Sequence, residues 1–173
     1  MLQPSERLTE AFTRQIGNEF AASLQYIAIG NYYVAETLPE LAKFFYSQAD
    51  EEREHAMKFV NFLLDVGAPV DLPAVPAPKS RFGSAEEAVS LSLEHEQAVT
   101  GQIYALVDLA REDKHYAAQR LLDWFVVEQQ EEEATMSSLL QVLRRAGEAG
   151  LLLVEDYLAR KAGFPGRATQ QQR

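Results

Sequence analysis

Five carboxylates and one imidazole fall at helical spacing among apolar residues in this chain. Glu52 and His55 stand three apart, so on a helix they share a face. Glu19 lies on the stripe Phe12, Ile16, Ser23, Tyr26 and Tyr33. Glu96 lies on the stripe Val89, Ser92, Val99, Ile103 and Leu106. Glu128, Gln129 and Glu132 interrupt the stripe Leu122, Phe125, Met136, Leu139 and Leu143. Carboxylates in an apolar core are costly when unpaired. Crowded together, they hold protons and lift one another's pKa. A cationic centre removes both costs. Oxygen donors with one imidazole and no thiolate favour iron or manganese, with zinc as a tolerated competitor. Glu-x-x-His is also the ligand arrangement of di-metal carboxylate bundles. Each acid alone has a plainer reading, a satisfied buried polar group or a misjudged helix face. The metal reading rests on all of them meeting at one depth.

That depth depends on the elements. The spacing predicts helices over 5–34, 39–66, 84–111, 113–146 and 150–162, each long one with its acid near the middle. Ser5 and Ser84 stand at N-cap positions, and Ser84 with Glu87 reads as a capping box. Pro39 suits a first helical position, and Gly67 and Gly147 suit positions just past helix ends. The expected fold class is all-α, a four-helix bundle with a short fifth C-terminal helix. Short links make the first and second pairs antiparallel. The link 67–83, rich in Pro, spans ~56 Å when extended, against ~42 Å for helix two. It can cross the whole bundle, so helices two and three can run parallel, the ferritin-like arrangement.

Composition narrows the function classes. The 173 residues are 47% hydrophobic and carry a formal net charge of −10. Such a field repels phosphate backbones and argues against nucleic acid as a partner. With no cysteine, disulfides, zinc ribbons, iron–sulfur clusters and thiol catalysis are excluded. The N-terminus has no signal-peptide pattern and no segment is apolar enough for a membrane span, so a cytoplasmic protein is expected. Residues 165–173, polar and Gln-rich, read as a disordered tail behind a single domain over 1–164.

Four segments carry a family resemblance: Asn18-Glu19 through Gln25-Tyr26, the run Ala49 to Ala56, His95-Glu96-Gln97, and Trp124 to Glu133. In this order and spacing they resemble a bacterial ferritin of the haem-free type over nearly the whole chain. The resemblance implies iron storage by a ferroxidase, with Fe(II) and O₂ or H₂O₂ as substrates and a shell of twenty-four subunits. By position, Glu19, Glu52 and His55 would hold the first iron. Glu52 would bridge to a second, held also by Glu96, with Gln129 and Glu132 beside it. A third, inward site would use Glu51, Glu128, Glu131 and Glu132. Catalytic roles fall to Tyr26, Glu52 and Glu132. Tyr26 could hydrogen-bond a ligand or supply an electron, or be a core tyrosine satisfied by a buried acid. Trp124 could be a second electron donor or a packing residue.

Departures sort the subfamilies. Glu128 is followed by Glu131 where bacterioferritin has a second Glu-x-x-His. Arg53 stands where that family has its haem-ligating Met, with Met57 displaced, so haem is not expected. Glu133 is expected to point away from the stripe into solvent, Glu131 lies beside the stripe, and Asp50, Glu51 and Glu54 read as surface acids. The apolar run Leu151–Val154 would meet other subunits or simply cap the bundle. The start of helix four, around Gln119, Arg120, Leu122 and Asp123, would lie near a three-fold channel. A non-storing di-iron oxidase or peroxidase would share every ligand. A di-manganese catalase would share most, and a purely structural bundle would need basic residues that the stripes lack.

Overall fold

The structure is a computed structural model, and it describes residues 3–160. Four long helices, α1 (Glu6–Ala35), α2 (Pro39–Asp65), α3 (Ala85–Glu112) and α4 (Tyr116–Ala146), precede a 3₁₀ turn at Glu148–Gly150 and a short α5 (Leu151–Arg160). The predicted bounds hold to within a residue except at the start of α4. There His115 is the N-cap, its Nδ1 accepting from the Ala118 N–H at 3.0 Å, so the helix begins at Tyr116 and not at 113. The Lys114 backbone before it takes a positive φ of 53°, which no helix permits. The end of the predicted fifth helix and the expected 165–173 tail lie outside the described residues.

The other caps follow local chemistry. Ser5 Oγ accepts from Leu8 N–H and Ser84 Oγ from Glu87 N–H, both at 3.1 Å. The capping box closes one residue early, because the Glu87 carboxylate accepts from the Gly83 N–H at 2.5 Å. Gly67 and Gly147 turn the chain with positive φ just past α2 and α4. Leu38, the N-cap of α2, offers no side-chain acceptor. Glu155 on α5 supplies it instead, its two oxygens accepting from Glu40 N–H at 2.7 Å and Leu41 N–H at 2.9 Å.

Contacts between helix ends fix the topology. Arg7 pairs with Glu112, and Tyr33 Oη donates to the Ala85 carbonyl, so α1 and α3 are antiparallel. Gln3 bonds Gly67, which sets α2 antiparallel to α1 and therefore parallel to α3. Arg144 meets Glu86, so α4 returns along α3. The segment 67–83 is a true crossover running along α1. Pro73 lies over Gly17, where a Cβ would come within 2.6 Å of the proline ring. Gln25 then exchanges two hydrogen bonds with the Lys79 backbone, at 2.8 and 2.9 Å.

The core is divided. One apolar cluster gathers Tyr33, Leu41, Phe45, Val89, Met136, Leu139, Val154 and Leu158. The other gathers Leu8, Phe12, Phe59, Leu63, Ile103, Leu106, Leu122 and Phe125. Between them every long helix buries polar residues: Glu19 and Ser23, Gln48, Glu52 and His55, Ser92 and Glu96, Gln129 and Glu132. α5 uses its apolar run in two ways. Val154 closes the first cluster, while Leu152 and Leu153 remain 76% and 72% exposed. No helix among the described residues is long and apolar enough to cross a membrane.

Candidate metal centre

The polar layer brings the predicted ligands together. Glu19 on α1, Glu52 and His55 on α2, Glu96 on α3, and Gln129 and Glu132 on α4 are all buried, as is Tyr26. Donor atoms of Glu19, Glu52 and His55 lie within 4.8 Å of one another, and so do those of His55, Glu128 and Glu132. His55 is common to both groups. Its Nδ1 lies 3.4 Å from Glu52 Oε2 and its Nε2 lies 3.7 Å from Glu128 Oε1. Neither distance is that of a strong charge-assisted hydrogen bond. Glu96 is in neither group but is gripped by its neighbours. Tyr26 Oη donates to Glu96 Oε1, and Gln129 Nε2 donates to Glu96 Oε2 at 3.1 Å.

The electrostatics are those of crowded acids. Burial raises the Glu52 carboxyl well above the usual range, the Glu96 charge adds to it, and His55 opposes it. Burial likewise raises Glu132 well above that range, with Glu96 and Glu51 adding. Glu19 and Glu96 are also raised by burial, with His55 opposing at Glu19 and Tyr26 and Gln129 opposing at Glu96. At His55 burial opposes protonation, but Glu128 and Glu52 outweigh it and hold the imidazole well above its ordinary value. The Arg and Lys ion pairs among the described residues all lie at the exposed surface, so this layer's cationic partner within the chain is His55.

Two buried atoms test the fit to a cation. Glu19 Oε2 and His55 Nδ1 have no hydrogen-bond partner, although both residues are nearly inaccessible. Gln15 Nε2 donates to Glu19 Oε1 at 2.9 Å and leaves the other oxygen facing the group. Leaving such atoms unpaired is unfavourable by about 1–3 kcal/mol each. Divalent cations would use both. The oxygen-rich donor set with one imidazole fits iron or manganese.

Other predicted residues are placed less uniformly. Glu51 and Glu128 are half-buried, and their charges act on Glu132, so three members of the inward set share a neighbourhood. Glu131 is exposed and joins neither ligand group among the described residues. Glu133 is half-buried and accepts from Thr100 Oγ1 on α3, which corrects its expected solvent position. Leu122 belongs to the core, so it cannot line a channel. The Trp124 and His55 rings meet steeply inclined at 5.5 Å between centres, with the Lys58 ammonium 4.5 Å from the Trp124 ring centre. Two residues carry no role in the sequence reading. Gln15 has a local signal, the i, i+4 spacing to Glu19. His95, whose buried Nε2 is unpartnered and whose ring meets Tyr26 at 6.3 Å, has none.

Comparisons with known proteins show the family of the chain. The family described as "Ferritin-like domain" matches residues 9–146. The chain is 42% identical over 158 residues to ferritin BfrB of Mycobacterium tuberculosis, covering 91% of this chain and 87% of that protein. It is 41% identical over 144 residues to a bacterial non-heme ferritin of Staphylococcus aureus, covering 83% and 87%. Its structure superposes on an open pore ferritin of Archaeoglobus fulgidus with a TM-score of 0.87 at 35% identity, covering 90% of this chain and 96% of that one. With both halves of the ligand layer inside the matched span, the chain belongs to the ferritin family.

Proposed function

We propose that this chain stores iron in the cytoplasm, oxidising Fe(II) at the buried layer and depositing ferric mineral inside a shell of twenty-four copies. Iron is both substrate and cargo. The observation that carries the reading is the unpartnered pair Glu19 Oε2 and His55 Nδ1 within a buried layer of acids. Glu19 and His55 would hold one Fe(II), and Glu96 and Glu132 a second beside Gln129. Glu52, whose charge acts on both sides, would lie between them. Two Fe(II) give one electron each. O₂ takes both electrons and two protons and leaves as H₂O₂. The carboxylates favour the higher charge of the Fe(III) products. Those products hydrolyse, release protons and grow as mineral.

Tyr26 holds Glu96 in place through its hydroxyl, and burial with the nearby Glu96 and Glu52 charges keeps that hydroxyl protonated. Glu51, Glu128 and Glu132 would form an inward third site through which ferric iron leaves. The exposed Leu152 and Leu153 give α5 an apolar face for other subunits.

Sedimentation after aerobic Fe(II) loading tests the proposal, with protein and iron absorbance recorded together. Twenty-four chains of 19.4 kDa make a particle of about 466 kDa. Hundreds of irons moving with that particle are expected. Two or three irons per chain on a small oligomer would discard storage and leave a di-iron oxidase.

A further inference from the structure

Gln15 lies on α1 one turn before Glu19 and is 2% exposed. Its Nε2 donates to Glu19 Oε1 at 2.9 Å. Its own Oε1 accepts from Asn18 Nδ2 at 3.4 Å, and the same nitrogen donates to Gln102 Oε1 on α3 at 2.9 Å. Three side-chain amides thus run from α3 across to α1 and end on one oxygen of a candidate ligand. The outer two, Asn18 and Gln102, line a cavity of about 440 Å³ together with Pro73 and Pro76 of the crossover. Two acids of the layer are served unequally. Glu96 has a donor on each oxygen, Tyr26 Oη on one and Gln129 Nε2 on the other. Glu19 has a donor on Oε1 and none on Oε2. An amide placed only to satisfy a buried acid leaves half of that task undone.

We propose that Gln15, itself held by Asn18 and Gln102, is a positioning residue that commits Glu19 to bind the first cation through Oε2 alone. This rests on the first site of the proposed function. The residue type suits the task. An apolar side chain at this position would leave Glu19 free to turn either oxygen, or both, to a cation. A Lys or Arg would set a rival charge against the same carboxylate. A carboxamide holds one oxygen without adding charge, as supporting donors do around metal ligands. The direction of the chain is set at its outer end. Asn18 Nδ2 carries two hydrogens and spends them on the carbonyl oxygens of Gln102 and Gln15, so the end of Gln15 left for Glu19 is its N–H.

The test is anaerobic titration of the metal-free protein with Co(II), whose visible absorption reports the number and arrangement of its ligands. Melting of each metal-free variant is recorded alongside. The wild-type chain is expected to take a tighter and a weaker ion. Gln15→Met keeps the length of the side chain without its N–H. It is expected to weaken the tighter ion about 10-fold, because a carboxylate free to turn must be ordered by the ion, and to leave the weaker ion unchanged. The absorption bands of the tighter ion are expected to change as Glu19 turns its second oxygen to it. Asn18→Ala, which leaves the Gln15 N–H in place but removes its anchor, is expected to move the same bands in the same direction by less. Unchanged bands in Gln15→Met, at whatever melting point, would mark an amide that only satisfies a buried acid and would overturn the proposal. Equal changes at both ions would mark a loosened layer and overturn it too. No Co(II) taken up by the wild-type chain would remove the first site itself, and the proposal with it.

Discussion

The α1–α2 hairpin and the α3–α4 hairpin bring candidate ligands to the same layer but hold them differently. In the first, Glu19 Oε2 and His55 Nδ1 have no hydrogen-bond partner. In the second, Glu96 is held by Tyr26 from across the bundle and by Gln129 from its own hairpin. A cation entering the first half meets two unpartnered donor atoms and displaces only the proton that Glu128 and Glu52 favour on His55. A cation entering beside Glu96 must compete with hydrogen bonds already made. Near-symmetric helices therefore predict unequal sites, the first tighter than the second.

Removing the carboxylate between the halves should have the largest effect. Glu52→Ala is expected to slow fast Fe(II) oxidation by at least about 100-fold in stopped flow, the order of one lost ligand group. It should not unfold the bundle, because it also removes a buried charge raised by its neighbours. An unchanged rate would break the assignment of both halves at once. The comparison sharpens with Glu19→Gln and Glu96→Gln. In anaerobic Co(II) titration the first should lose the tighter ion and the second only the weaker, each by about 10- to 100-fold. Equal losses in the two variants would show that the hairpins are equivalent after all.

Acidity reads the same layer as stability. Glu19, Glu52, Glu96 and Glu132 have folded-state pKa values raised by burial, so the folded chain holds protons that the unfolded chain gives up. Their contribution is full below the ordinary carboxyl pKa and is lost as pH rises through the raised values. His55, also raised, adds in the same direction, lost as pH rises above its ordinary value. His95, lowered by burial and raised only in part by Glu19, opposes them, its contribution being lost as pH falls. The metal-free protein should melt at least about 3 °C higher at pH 5 than at pH 7.5, the shift given by about 1 kcal/mol. Zn(II) should reverse the order, since bound ligands must be deprotonated.

Smaller effects follow at single hydrogen bonds. Tyr26→Phe leaves Glu96 Oε1 without its donor and should lower metal-free stability by about 1.5–3 kcal/mol in denaturant melts. It should weaken the second ion more than the first. Glu155→Ala should be smallest, about 1 kcal/mol for a lost cap, with both ions unaffected.

The ligand layer was legible because it breaks a rule that the rest of the bundle keeps. Glu19, Glu52 and Glu96 interrupt apolar stripes of helical period, and the length of the 67–83 link decides how the stripes face. What escaped was set by partners distant in sequence. Glu133 is drawn inward by Thr100, thirty-three residues earlier, and no pattern on α4 announces that. His115 caps α4 through a ring nitrogen, outside the usual capping residues. Gln48 sits one turn before Glu52, where the α2 stripe predicts burial, but which of its atoms lacks a partner is a property of the packed layer alone.

Glu155 carries one more consequence, in the order of synthesis. The helix bearing Glu52 and His55 starts at Pro39, yet the carboxylate that completes its first turn arrives more than a hundred residues later. On the ribosome, where N-terminal elements form first, the first turn of α2 must wait with its amides in water until α5 emerges. A chain released early would have the ligands but a frayed helix start, and its α5 face would be missing as well. The last helix thus works as a completion mark for the first turn of α2, which is capped only once the chain has been made through Glu155.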